Sequence, residues 1–216
     1  VHALPGQEGA AGVDEVMIVK ICGLMRPEDA VAAGTAGADW AGMVFHPASR
    51  RSVDPEQAAA IRDALPRVVK SVAVVVDRNP EFVSRLVDSD IVDMVQVHGC
   101  GDGNFRRIAD LGVPTIRAYV VRSKEDVEAA ASSEADYVLL DAGQGSGRVF
   151  DWSLLDDAGF PYILSGGLDP ENVADAVHRL HPIGVDVSSG VETDGAKDAS
   201  KMRRFVEAAR SAVGSY

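Results

Sequence analysis

The chain has 216 residues, 46% hydrophobic and 25% charged, a make-up ordinary for a globular protein and large enough for one sizeable core. Its net charge of −12 argues against nucleic acid, whose backbone needs a basic face, but still allows a phosphorylated small molecule held by local amides. Two cysteines, Cys22 and Cys100, are too few for a disulfide framework. The apolar runs 72–76 and 91–97 have strand length, well short of a membrane span. A cytoplasmic protein is expected. Residues 1–14, rich in Gly and Ala with an acidic end, read as a disordered leader or extension, ahead of a single domain over 15–216.

From there a β-then-α alternation repeats eight times. Strands are expected at 17–21, 40–45, 70–76, 94–97, 115–120, 137–140, 162–164 and 185–187. Their nearly continuous Val/Ile character suits parallel strands covered on both faces. Between them lie helical stretches at 27–36, 55–65, 80–87, 105–111, 124–131, 170–180 and 199–212. Asp54-Pro55-Glu56, Asn79-Pro80-Glu81 and Asp169-Pro170-Glu171 each join a capping residue to a proline at the first helical position. Gly37, Gly112 and Gly159 follow helix ends, where a left-handed residue is wanted. An open doubly wound sheet would use the same alternation. Eight units with polar groups after many strands favour closure into a (β/α)₈ TIM barrel.

Strand after strand ends in a polar residue and a glycine: Cys22-Gly23, His98-Gly99, Asp141 before Gly143, Ser165-Gly166-Gly167 and Ser188-Ser189-Gly190. In a barrel these all lie on the active-site face. The last two turns occupy the place where this fold commonly holds a phosphate, which assigns Gly166, Gly167, Ser189 and Gly190 to an anion. Neither turn resembles a P-loop or a dinucleotide fingerprint, and no cofactor or metal is implied.

Cys22 reads either as a small buried hydrophobe or, with Lys20 two residues away, as a general base whose thiolate a nearby cation favours. Asp141 reads either as a loop-ordering cap or as a general acid, since a carboxyl group leaving an apolar strand favours its protonated form. One acid and one base, without a Ser/His/Asp pattern, point to proton shuffling on a sugar phosphate by an isomerase or epimerase. Arg50 and Arg51 form either a solvated basic turn or a bidentate reader of a second anionic group. His98 is a ligand contact or a structural donor. Asp186, inside its strand, points into the barrel to orient an active-site group, and Lys20 and Gln96 fill its lower layers.

The segments Val19-Lys20-Ile21-Cys22-Gly23-Leu24, Phe45-His46-Pro47-Ala48-Ser49-Arg50-Arg51, Val95-Gln96-Val97-His98-Gly99, Leu139-Leu140-Asp141, Leu164-Ser165-Gly166-Gly167-Leu168 and Val187-Ser188-Ser189-Gly190-Val191-Glu192, in this order, resemble the phosphoribosylanthranilate isomerases of tryptophan biosynthesis. The resemblance runs from about residue 18 to 212. It implies a cofactor-free Amadori rearrangement of N-(5-phosphoribosyl)anthranilate to 1-(2-carboxyphenylamino)-1-deoxyribulose 5-phosphate. It also implies that Asp141 is the general acid, Cys22 the general base and Arg51 the partner of the anthranilate carboxylate. The histidine-pathway isomerase is the nearest rival, but it resembles a chain with an aspartate at the place of Cys22. A non-catalytic phosphate-binding barrel is the rival outside enzymes. The oligomeric state is left open.

Overall fold

The computed structural model describes residues 17–76, 78–141 and 152–213. In it, eight parallel strands close on themselves in chain order. They are β1 (Ile18–Cys22), β2 (Trp40–Val44), β3 (Lys70–Val76), β4 (Met94–His98), β5 (Thr115–Val120), β6 (Tyr137–Asp141), β7 (Ile163–Ser165) and β8 (Gly184–Val187). The helices are α1 (Pro27–Ala36), α2 (Pro55–Ala64), α3 (Pro80–Asp88), α4 (Asp102–Ala109), α5 (Lys124–Ala131), α6 (Val173–Leu180) and α7 (Ala199–Val213). The expected closed barrel is what forms.

The period-2 alternation of the strands divides the apolar residues into two cores. Val19, Ile21, Ala41, Met43, Ala73, Val75, Val95, Leu140, Leu164 and Val185 face outward and pack with the helices. Trp40, Val72, Val74, Met94, Ile116, Leu139 and Ile163 fill the inside. Trp40 on β2 and Tyr137 on the opposite strand β6 meet edge-on, ring centroids 4.9 Å apart, and close the lower interior. The inward rows of β1, β4, β6, β7 and β8 then continue upward into polar residues: Cys22, His98, Asp141, Ser165 and Asp186.

One device recurs at the lower rim. Asp39, Asp93 and Asp136, each just before a strand, accept the backbone N–H of Val19, Ser71 and Thr115 at 2.8, 2.8 and 2.7 Å. These carboxylates tie β1 to β2, β3 to β4 and β5 to β6 on the face where barrels store stability.

Two of the three proline caps are formed. Asp54 accepts from Gln57 N–H at 2.8 Å, Gln57 answers in a capping box, and Asn79 accepts from Glu81 N–H at 2.7 Å. The third expectation needs correction. Helix α6 starts at Val173, not Pro170, because Asp169 Oδ1 takes the N–H groups of both Glu171 and Asn172 in a tight turn ahead of the helix. Helix α4 likewise starts earlier than expected, at Asp102. Gly37 and Gly112 have positive φ, whereas Gly159 does not. After β6 the described residues hold only a single 3₁₀ turn, Trp152–Leu155, in place of an α-helix. A short antiparallel ladder, β9 (Glu192–Thr193) with β10 (Ala196–Lys197), stands between β8 and α7 and was not expected. Residues 1–14 and 142–151, the leader and the glycine-rich loop after Asp141, lie outside the described residues.

Candidate active site

The two glycine turns meet. Gly166 and Gly167 have φ of 96° and 69°, which brings the chain sharply round after β7. Gly190 fits against this turn so closely that a Cβ there would lie 2.0 Å from the Leu168 carbonyl oxygen. Among the described residues, the N–H groups of Gly166, Gly167, Ser189 and Gly190 donate to no backbone carbonyl. Asn172 donates its side-chain N–H to Gly167 O at 2.9 Å and fixes the first turn from behind. The two glycine turns thus lie together at the upper ends of β7 and β8, and backbone amides in such turns are the groups that can hold an anion.

Cys22 stands beside it. Ser188 Oγ donates to the Cys22 carbonyl at 3.0 Å, which ties the second glycine turn to the end of β1. The thiol is buried, 7% exposed, on the inward face. Burial pushes its pKa up, Lys20 and Lys197 pull it down, Asp186 pushes it up again, and the net direction is upward. The expected thiolate-favouring cation is therefore present, yet in the free protein desolvation outweighs it.

Asp141 ends β6 on the same inward row as Tyr137 and Leu139, in register with Ser165 on β7, and Ser165 is in register with Asp186 on β8. Three strand spacings of about 4.8 Å separate the backbones of β6 and β1 around the wall, and Asp141 and Cys22 each end an inward row of their strand. Asp186 accepts from Lys20 Nζ at 2.8 Å and from Ser165 Oγ at 3.0 Å. Its side chain lies inside the barrel, between Lys20 and Ser165.

Arg51 differs from its expectation. Its side chain crosses Gly23, where a Cβ would lie 2.4 Å from Arg51 Cδ, so it does reach the mouth next to Cys22. It is no solvated turn, but its guanidinium already has a partner: Glu192 accepts from Arg51 Nε at 2.6 Å and Nη2 at 3.1 Å. Glu192 also pairs with Arg50 and, at 3.1 Å, with Lys197. Its own burial would raise its pKa, but these cations and their hydrogen bonds hold it down at about 2. Among the described residues Arg51 Nη1 makes no hydrogen bond, which leaves one edge of the fork for a ligand.

His98 ends β4 opposite this network. Burial first, then the charge of Lys20, lowers its pKa to about 4, so the ring is neutral at physiological pH. The Gln96 side-chain amide lies 2.7 Å from His98 Nε2, within hydrogen-bond distance, the direction of the bond being set by the ring's tautomer. Gln96 Oε1 is left buried without a partner among the described residues. His98 also lines a cleft of about 480 Å³ with Val97, Arg117, Tyr119 and Arg122 at the upper ends of β4 and β5. Among the described residues no group of three or more His, Cys, Asp or Glu is placed to hold a metal ion.

A closed barrel with a thiol, a carboxylate, an arginine fork and a double glycine turn at one mouth has a known counterpart. The sequence profile described as N-(5'phosphoribosyl)anthranilate (PRA) isomerase matches residues 19–208. The chain belongs to this family. It is 42% identical over 199 residues to the N-(5'-phosphoribosyl)anthranilate isomerase of Streptococcus pneumoniae R6, covering 90% of this chain and 96% of that protein. The crystal structure of the phosphoribosyl anthranilate isomerase of Thermotoga maritima superposes with a TM-score of 0.83 at 38% identity, over 90% of this chain and 99% of that one. A phosphoribosyl anthranilate isomerase in complex with reduced 1-(o-carboxyphenylamino)-1-deoxyribulose 5-phosphate superposes with a TM-score of 0.80 at 38% identity, over the same shares of the two chains.

Within this PRA isomerase barrel, Glu192 and Lys197 are the residues that reasoning from sequence gave no role. Glu192 stands two residues after Gly190 and Lys197 two after Gly195, and that proximity to the phosphate turn was the one signal available. Their convergence on Arg51 and Ser188 depends on the β9–β10 hairpin folding back, which no spacing announces.

Proposed function

We propose that the chain converts N-(5'-phosphoribosyl)anthranilate to 1-(2-carboxyphenylamino)-1-deoxyribulose 5-phosphate in tryptophan biosynthesis, as a cytoplasmic enzyme acting on a phosphorylated small molecule. In this reading the phosphate sits on the amides of Gly166, Gly167, Ser189 and Gly190. Asp141, as the acid, protonates the furanose ring oxygen. The C1–O bond breaks while the anilinic nitrogen lone pair forms the C1=N bond of a Schiff base. Cys22, as thiolate, takes the proton from C2. The C–H electrons form C1=C2, the C=N electrons return to nitrogen, and the enolamine tautomerises to the ketone by losing its hydroxyl proton and gaining one at C1. Arg51 offers its Nη1 edge to the anthranilate carboxylate, with Glu192 holding the guanidinium across Gly23. Asp186 and His98 line the substrate's path through the mouth.

The observation that carries this reading is the convergence on one rim: Gly190 seated on Leu168, Ser188 bonded to Cys22, and Asp141 at the end of β6. A sensor or scaffold barrel needs an anion site but no acid and base across it. The test is loss of phosphoribosylanthranilate fluorescence on adding the protein, with the histidine-pathway aminoaldose run beside it. Turnover of the first and not the second is expected. Turnover of the second alone assigns the chain to the rival isomerase, and turnover of neither assigns it to a binding role.

A further inference from the structure

We propose that Lys20 is a positioning residue for Cys22: its ammonium, anchored by Asp186 beneath the mouth, stabilises the thiolate that takes the C2 proton. The proposal rests on the reading of Cys22 as the base.

Lys20 is fully buried, and its Nζ lies 2.8 Å from Asp186 Oδ1. A buried ion pair is a poor source of stability, because hydrocarbon of similar volume commonly does as well, so its position calls for another account. Lys20 and Cys22 are alternate residues of β1 and both point inward. Gly42 of β2 stands opposite Cys22 in the ladder. A Cβ built on Gly42 would lie 2.9 Å from Cys22 Sγ and 3.1 Å from Lys20 Nζ. The two groups thus converge on one point and lie no more than about 6 Å apart, the sum of those distances. Glycine at 42 is what leaves them room.

The charged groups that face Cys22 are Lys20 on β1, Asp186 on β8 and Lys197 on β10. Burial alone would discharge Lys20, but the charge and hydrogen bond of Asp186 and the charge of Cys22 outweigh it and hold its pKa above the ordinary value. Its cation therefore persists through the neutral range. Asp186 is held in turn by Ser165 Oγ at 3.0 Å, so the ammonium has a fixed position. When the thiol loses its proton to water at the mouth, the new sulfur anion finds a preset cation, and a lone pair stays available to take the proton from C2. Without Lys20, burial and Asp186 would oppose the thiolate with only Lys197 to favour it.

The experiment reads the thiol directly. In a Cys100→Ser background, which leaves Cys22 as the sole cysteine, the pH dependence of alkylation by iodoacetamide is measured for the parent, Lys20→Met, Lys20→Arg, Asp186→Asn and the Lys20→Met/Asp186→Asn pair. Lys20→Met is expected to move the alkylation midpoint up by about one unit or more, and the acid limb of kcat/KM with it. At pH 7 kcat should fall about tenfold or more with KM little changed, while Lys20→Arg keeps the parent midpoint. The double variant restores charge balance to the core, so it keeps the test open if Lys20→Met does not fold. Relative to Asp186→Asn, it should still show the raised midpoint. An unchanged midpoint in folded Lys20→Met, or a double variant with the midpoint and kcat of Asp186→Asn, would show that Lys20 only balances Asp186 and overturn the proposal. Because alkylation needs no turnover, a failure here is distinguishable from the failure of Cys22 as base, which would appear instead as full activity in Cys22→Ala.

Discussion

The two sides of the barrel mouth are built from the same backbone and filled in opposite ways. On the arc from β7 through β8 to β1, charges are linked across strands: Ser165 to Asp186, Asp186 to Lys20, Ser188 to Cys22, and Glu192 to Arg50, Arg51 and Lys197. On the arc from β3 to β5 the inward rows are Val72, Val74, Ile116 and Ala118, with Gln96 and His98 as the polar exceptions, and a cleft stands open above them. The first arc is organised before any ligand arrives, and so can hold an anion and a proton acceptor without reorganising. The second provides shape. The difference is one of connection: the first arc links its polar groups from strand to strand, whereas on the second the inward rows are mostly apolar and the charges, such as Arg117 paired with Asp102, stand at the rim.

Breaking the charged arc should cost most. Arg51→Ala removes the substrate-facing fork and leaves Glu192 with one arginine fewer; KM should rise by a factor corresponding to about 2–4 kcal/mol, with kcat changed less. Initial-rate kinetics decide it, and an unchanged KM would return Arg51 to a structural role. Gly190→Ala forces a methyl onto the Leu168 carbonyl oxygen. It should lower stability by about 1–3 kcal/mol, read from urea midpoints, and weaken inhibition by inorganic phosphate. Undiminished phosphate inhibition would place the anion elsewhere.

Acid should separate the two arcs. His98 has its folded pKa depressed to about 4 from 6.5, so between those values the unfolded chain binds the proton more readily and stability falls as pH falls through that window. Glu192, depressed from 4.5 to about 2, contributes stability that is complete above 4.5 and is lost as pH falls below it. Urea midpoints across pH 7 to 3 should therefore show a first decline that His98→Asn flattens and a second that Glu192→Gln flattens. At about 1.4 kcal/mol per unit each is worth at most roughly 3.5 kcal/mol, less for what solvent screens. If one variant flattened both declines, the two arcs would be one electrostatic unit and the comparison would fail.

The barrel was legible because each strand carries its own apolar run, five of them closed by a polar residue and a nearby glycine, and because Asp54-Pro55 and Asn79-Pro80 start helices by local chemistry alone. Asp169-Pro170 carries the same signal and forms a turn ahead of the helix instead, closed by reciprocal bonds between Asp169 and Asn172. At the site, Cys22, Asp141 and the glycine turns were readable because position at a strand end suffices to place them. The partners were not. That Arg51 belongs to Glu192, 141 residues away, and Lys20 to Asp186, 166 away, is decided by closure of the barrel. The upward shift of the Cys22 thiol depends likewise on desolvation that no local pattern reveals.

The central claim is that Asp141 and Cys22 act as acid and base on one substrate from two sides of one mouth. Its most direct test is the steady-state decay of phosphoribosylanthranilate fluorescence for Cys22→Ala and Asp141→Asn beside the parent enzyme. Each replacement should lower kcat by about 10²-fold or more and leave KM within a few-fold, because general acid or base catalysis contributes about that much and the proposed reading draws substrate affinity from the glycine turns and Arg51. Near-parental kcat in both variants would contradict the account and hand the chemistry to other residues of the mouth.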